Sequence, residues 1–207
     1  MGLHHASDAA DQSILRRSTG WQVPLSLAAF SALTALGGPG AQQQLRYDRT
    51  RIADGELWRL VTGHFAHLGM THLTLNIAGL AVVWLLVGAG HSLLNWIFVI
   101  ASSLAVIDLC FWFLDPGLSW YVGMSGLLHA LLVAGIVTRF PVAKGESLAL
   151  AALIAGKIAW EQLAGPLPGS EISAGGAVVV NAHLYGAIAG ILAAGVLHVI
   201  TPRRVSI

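Results

Sequence analysis

A helix needs about 20 predominantly apolar residues to cross a hydrocarbon core roughly 30 Å thick. This chain has six apolar runs of about that size, nearly free of charge, at residues 21–38, 71–89, 93–114, 123–139, 146–164 and 178–200. Inside hydrocarbon every backbone N–H and C=O must find its partner within the segment or in a closed barrel. The runs therefore predict an all-α polytopic membrane protein with six transmembrane helices. Charged residues make up only 10% of the chain, against about 25% in soluble domains. A net charge of +1 with scattered arginines offers no basic face for phosphates, which argues against nucleic acid as a partner. The single cysteine, Cys110, sits in an apolar run. It has no internal disulfide partner and lacks the neighbours of a metal site or a thiol protease.

The runs divide the chain into a polar N-terminal tail at 1–20, a six-helix membrane domain at 21–200 and a basic C-terminal tail at 201–207. The small residues Ala35 to Ala41 resemble a signal-peptidase site, but an uncleaved first helix fits better, since the rest of the chain is itself membrane-embedded. An even helix count puts both termini on one side. Arg16, Arg17, Arg139, Lys144, Arg203 and Arg204 make that side cytoplasmic. Against this, the first loop carries Arg46, Arg49, Arg51 and Arg59 interleaved with Asp48, Asp54 and Glu56, a mixture expected to fold on itself. Trp21, Trp58, Trp96, Trp120 and Tyr121 lie near the expected helix ends, where aromatic side chains anchor at the membrane interface.

The fourth run carries the first chemical clue. From Gly123 to Thr138 its 16 residues rise only about 24 Å, so Ser125 should start a helix below the membrane surface. Irregular backbone at that depth must be buried in protein or line a wet cavity, and hydrolysis needs water. A serine hydroxyl becomes a nucleophile when a base within hydrogen-bond reach takes its proton, and histidine is the usual base. His183 in the sixth run is the candidate base. Serine is also common at membrane helix contacts, whereas an ionisable intramembrane residue tends to be functional. Gly126, Ala130 and Ala134 recur every four residues, as do Gly186, Gly190 and Ala194. Such small-residue faces let helix backbones approach and would bring Ser125 to His183. At the start of the second helix, His72 and Asn76 are one turn apart on one face, and both can donate hydrogen bonds to a developing oxyanion. His64 and His67 are read as interfacial hydrogen-bonding residues.

Together, Glu56-Leu57-Trp58-Arg59, the spacing of His67, His72 and Asn76, Gly123-Met124-Ser125-Gly126, and His183 followed by Gly186 and Gly190 resemble the rhomboid family of intramembrane serine proteases. The resemblance runs in order from about residue 50 to 195. It implies Ser125 as nucleophile, His183 as general base and acid in a dyad, and His72, Asn76 and the Ser125 amide as oxyanion donors. Gly123, Gly126 and His67 would support the site, Trp58 and Arg59 would belong to a loop in the outer leaflet, and no cofactor or metal is required. The family setting implies a cell inner membrane with the site opening towards the periplasm. Where many rhomboids carry a tyrosine packed on the histidine, this chain has His129. Ser-Gly-Leu-Leu-His in a chain this compact is similar to the rhombosortase subgroup, which implies membrane-anchored substrates with a C-terminal Gly-Gly sorting tag. His129 as a mere packing ring in a general rhomboid is the other reading.

Lys157 and Glu161, spaced i and i+4 on the fifth helix, read as an ion pair near an interface that lowers the cost of burying two charges; the resemblance leaves room for a gating or tag-contact role. Asp108 and Asp115 are assigned nothing beyond turning the chain outward. Three rivals remain. An inactive binder of transmembrane segments is disfavoured by the presence of both Ser125 and His183. A metalloprotease on His64, His67 and His72 lacks a His-Glu-x-x-His helix. A channel or transporter would be marked by internal repeats or a polar path.

Overall fold

The computed structural model describes residues 3–88 and 91–200, with side chains described from Gly20 onward. The chain runs α1 (Leu3–Leu36), α2 (Gly38–Leu45), β1 (Tyr47–Asp48), α3 (Arg49–Ala53), α4 (Arg59–Thr62), α5 (Met70–Val87), α6 (Leu93–Leu114), β2 (Trp120–Tyr121), α7 (Ser125–Arg139), α8 (Lys144–Ala164), α9 (Ser170–Ala174) and α10 (Val180–Ile200). By length and composition α5, α6, α8 and α10 can each cross a membrane, and α1 from Gly20 joins α2 at a bend of 118° to make a fifth, broken span. The fourth expected run is the shorter apolar helix α7, of 15 residues. The protein is a helical, multi-pass membrane protein, and each of the six expected segments has a helical counterpart. The first ends two residues early, because the chain bends at Gly37. Helix α1 also begins inside the stretch read as a polar tail. The side chains of Arg16 and Arg17, and the whole tail with Arg203 and Arg204, lie outside the described residues.

The core is built around α7. Leu127, Leu131 and Ala134 pack with Leu80, Val83 and Trp84 of α5, Trp96 and Val99 of α6, and Ala193 and Leu197 of α10. Large apolar side chains on the outer faces, such as Leu85, Phe113 and Leu153, are exposed, as they must be where the solvent is lipid rather than water. Trp58 is likewise exposed, but Trp96 and Tyr121 are buried rather than interfacial. Trp96 is drawn in because its indole N–H donates to the Gly88 carbonyl at 3.0 Å, which satisfies its polar edge inside the core.

The mixed-charge first loop is folded. Arg59 is buried and donates to Glu56 Oε2 at 2.6 Å and to the carbonyls of Gln43 and Arg46 at 3.0 Å each. This is the physical content of the Glu-x-x-Arg spacing: one guanidinium fork closes several turns of loop at once. The loop is then stitched to the segment before α7, with β1 pairing antiparallel to β2 through Tyr47 with Tyr121 and Asp48 with Trp120.

Candidate active site

The segment leading into Ser125 is fixed at several points. The Gly123 N–H donates to the Gly63 carbonyl at 3.1 Å, and the buried Tyr121 hydroxyl donates to the Gly123 carbonyl at 2.5 Å. Burial pushes the Tyr121 phenol above its ordinary range, so it stays a neutral donor. Gly123 has φ +119, and a Cβ there would lie 2.7 Å from His72 Cε1. Only glycine meets both conditions. Met124 is the N-cap and Ser125 the first residue of α7, which puts the hydroxyl at a helix N-terminus whose free N–H groups face the same space.

His183 arrives from α10 because the two small-residue faces dock. A Cβ on Gly186 would fall on the Gly126 carbonyl, one on Gly190 would fall on the Ala130 carbonyl, and one on Gly126 would come within 2.9 Å of the Ala182 carbonyl. With the backbones this close, Ser125 Oγ lies 2.9 Å from His183 Nε2. Ser125 is partly exposed and His183 buried. His129, one turn along α7, stacks its ring on His183 with centroids 4.3 Å apart and planes 17° from parallel. Its Nδ1 is 2.7 Å from the Ser125 carbonyl, and its buried Nε2 has no partner among the described residues.

On α5, the Leu68 N–H donates to His72 Nδ1 at 3.3 Å. That leaves the His72 proton on Nε2, the atom that lies beside Gly123. Asn76 is buried and uses one amide N–H on the His72 carbonyl at 3.0 Å, with a second N–H available. His67 packs edge-on against the His72 ring, centroids 5.1 Å apart, and neither of its ring nitrogens has a hydrogen-bond partner among the described residues. His64 is fully buried and contacts Asp108 at 3.1 Å. The interfacial reading of these two histidines therefore gives way to a packed one, and Asp108 does more than turn the chain: it partners an imidazole across the core. Asp115 accepts from the Asn181 amide at 2.9 Å, bracing the start of α10.

Glu161 and Lys157 are not at a peripheral interface. Glu161 is buried, with Oε2 2.9 Å from His183 Nδ1 and Oε1 2.7 Å from Lys157 Nζ. The i, i+4 spacing shows that the two share a helix face, but not that the face looks at α10. The ligand atoms of His129, Glu161 and His183 lie within 4.8 Å of one another. The Lys157 ammonium already stands 3.2 Å from His183 Nδ1, so a cation would have to enter against a fixed positive charge. Among the described residues, His64, His67 and His72 do not converge as a ligand set.

The family model for the Rhomboid domain matches residues 54–200. Comparisons with curated proteins and with solved structures found no match.

Proposed function

The chain belongs to the rhomboid family, known for intramembrane serine proteases, and on that premise we propose that it hydrolyses a peptide bond in or near a transmembrane helix of a membrane-anchored protein. The observation that carries this reading is the 2.9 Å contact between Ser125 Oγ and His183 Nε2. A hydroxyl held against an imidazole is the minimum unit of nucleophilic acyl transfer. Ser125 Oγ attacks the scissile carbonyl while its proton passes to His183 Nε2. The oxygen of the tetrahedral intermediate takes hydrogen bonds from the Ser125 N–H, His72 Nε2 and the Asn76 amide. His183 then gives the proton to the leaving amine. Water, deprotonated by the same nitrogen, hydrolyses the acyl-enzyme and restores Ser125. His129 holds the plane of the His183 ring through the stack, with Gly123, Gly126 and His67 shaping the walls and Gly186 and Gly190 closing the helix contact. No cofactor takes part.

The substrate class we propose is the rhombosortase one: a protein ending in a Gly-Gly tag, a transmembrane helix and a basic tail. Glycines weaken a helix and expose its carbonyls, and His129 is the residue in this chain that distinguishes the subgroup. The protein would sit in the cell inner membrane with both termini cytoplasmic and the site open to the periplasm. The test is fluorophosphonate labelling together with cleavage of two reporters in vesicles, one with the Gly-Gly tag and one with Leu-Leu in its place. Wild type should label and Ser125→Ala should not, with turnover lower by at least ~10³-fold. Equal labelling of both would remove Ser125 as the nucleophile, and labelling of neither would leave an inactive binder. Equal cleavage of the two reporters would leave a general rhomboid protease.

A further inference from the structure

We infer that Glu161 of α8 is a positioning residue that holds His183 in the tautomer able to deprotonate Ser125, with Lys157 opposing it, so that the site is Ser125–His183–Glu161 rather than a dyad. The inference rests on the reading of Ser125 and His183 given above. A neutral imidazole carries one N–H, and for Nε2 to accept the Ser125 proton that hydrogen must be on Nδ1. Nδ1 has two polar neighbours, Glu161 Oε2 at 2.9 Å and Lys157 Nζ at 3.2 Å. A carboxylate only accepts and an ammonium only donates. Glu161 therefore favours Nδ1–H, the productive tautomer. Lys157 favours a lone pair on Nδ1, which would put the hydrogen on Nε2 and leave Ser125 without a base.

The geometry gives the advantage to Glu161. Lys157 makes its shorter contact with Glu161 Oε1, at 2.7 Å, and the carboxylate spans both partners with one oxygen each. The side chains of Glu161 and His183 are only 3% and 7% exposed, a setting in which a lone carboxylate would be costly. Helix α8 buries just two of its 21 residues, Ser147 and Glu161. Ionisable side chains within membrane segments turn to the bundle interior and pair there; what calls for a function is that Glu161 gives one oxygen to Lys157 of its own helix and the other to an imidazole on α10. When Nε2 takes the serine proton, Glu161 stabilises the imidazolium and the Lys157 charge opposes that stabilisation. The other ionisable groups near His183 are otherwise engaged or neutral: His129 on α7 bonds the Ser125 carbonyl, and Asp115, just past the end of α6, holds Asn181 while Asp108 faces His64.

The test uses the full chain in vesicles. Fluorophosphonate labelling rate, cleavage of a transmembrane reporter and thermal unfolding are measured across pH for wild type, Ser125→Ala, Glu161→Gln, Glu161→Asp and Lys157→Met. Glu161→Gln should lower labelling and turnover by about 10²-fold and move the acid limb of the profile down by about one pH unit. Glu161→Asp should recover part of both losses. Lys157→Met should move the acid limb up, because the carboxylate then serves His183 alone. A folded Glu161→Gln protein with wild-type rates and an unmoved acid limb would overturn the inference. Should Glu161→Gln fail to fold, an unmoved acid limb in Lys157→Met overturns it equally. If wild type labels no more than Ser125→Ala, the Ser125–His183 reading itself falls; if wild type labels and only the Glu161 and Lys157 variants behave as wild type, the positioning role alone is lost.

Discussion

Helix α10 meets α7 and α8 across seams of opposite character. On α7 ten of 15 residues are buried, and the contact is backbone against small residues, with no room for a Cβ at Gly186 or Gly190. On α8 most apolar residues face outward, Leu153 and Leu163 among them, and the described polar link to α10 is the Lys157–Glu161–His183 cluster. The first seam fixes distance by steric exclusion, which tolerates no slack in a close-packed interior. The second fixes orientation by charge, which acts without close packing. The proposed role of His183 as base needs both: its Nε2 must sit at hydrogen-bond distance from a hydroxyl, and its proton must be on the other nitrogen.

The same substitution in the close seam and on the open face of α8 should separate the two helices most sharply. Gly186→Val drives a branched side chain into the Gly126 carbonyl and should cost about 3 kcal/mol or more, seen as a large fall in the unfolding temperature together with loss of labelling at Ser125. A stable, active Gly186→Val protein would mean that the close seam is not what sets the Ser125–His183 distance. A smaller effect is expected where the first loop caps the start of α5. Burial, and then the neighbouring His72, push the His67 imidazole down to about 4, below its unfolded value of about 6.5. Between those values the unfolded chain binds more protons. Stability is thus full above pH ~6.5 and declines as pH falls towards 4, by roughly 1 kcal/mol at pH 5.5 relative to neutral. His67→Phe should lose that dependence, and an unfolding profile as steep as wild type would place the titrating group elsewhere. The smallest effect belongs to α8. Gly156 is exposed, and a Cβ added there would meet nothing within 4 Å, so Gly156→Val should change stability by less than about 0.5 kcal/mol; a cost comparable to Gly186→Val would mean that this face of α8 is packed rather than open.

Several of these features can be read from the chain because they are local. The helix positions follow from the length of apolar runs, and the glycine at 123 from the G-x-S-G spacing. The two stripes on α7 and α10 follow from a period of four, and the first loop's folded character from Glu56 and Arg59 three residues apart. The expectations that fail share a cause. His64 with Asp108, Trp96 with Gly88, and Glu161 with His183 are pairs far apart in sequence or on faces whose neighbour no local pattern names, so a polar residue that is partnered inside reads as interfacial.

The amino-acid pattern alone places the chain in lipid, because too few charges and too many long apolar runs leave no other solvent for its surface. It also determined that Ser125 and His183 stand beside small-residue faces able to dock, because glycine and alanine at helical spacing are the means by which backbones approach. The direction in which α8 is turned follows from packing between helices. Rotating that helix about its own axis would send Glu161 into lipid, a cost that favours an inward turn without naming the imidazole it meets. The partner Glu161 meets inside is the imidazole on α10, which comes from a separate helix and so is named by no pattern within α8.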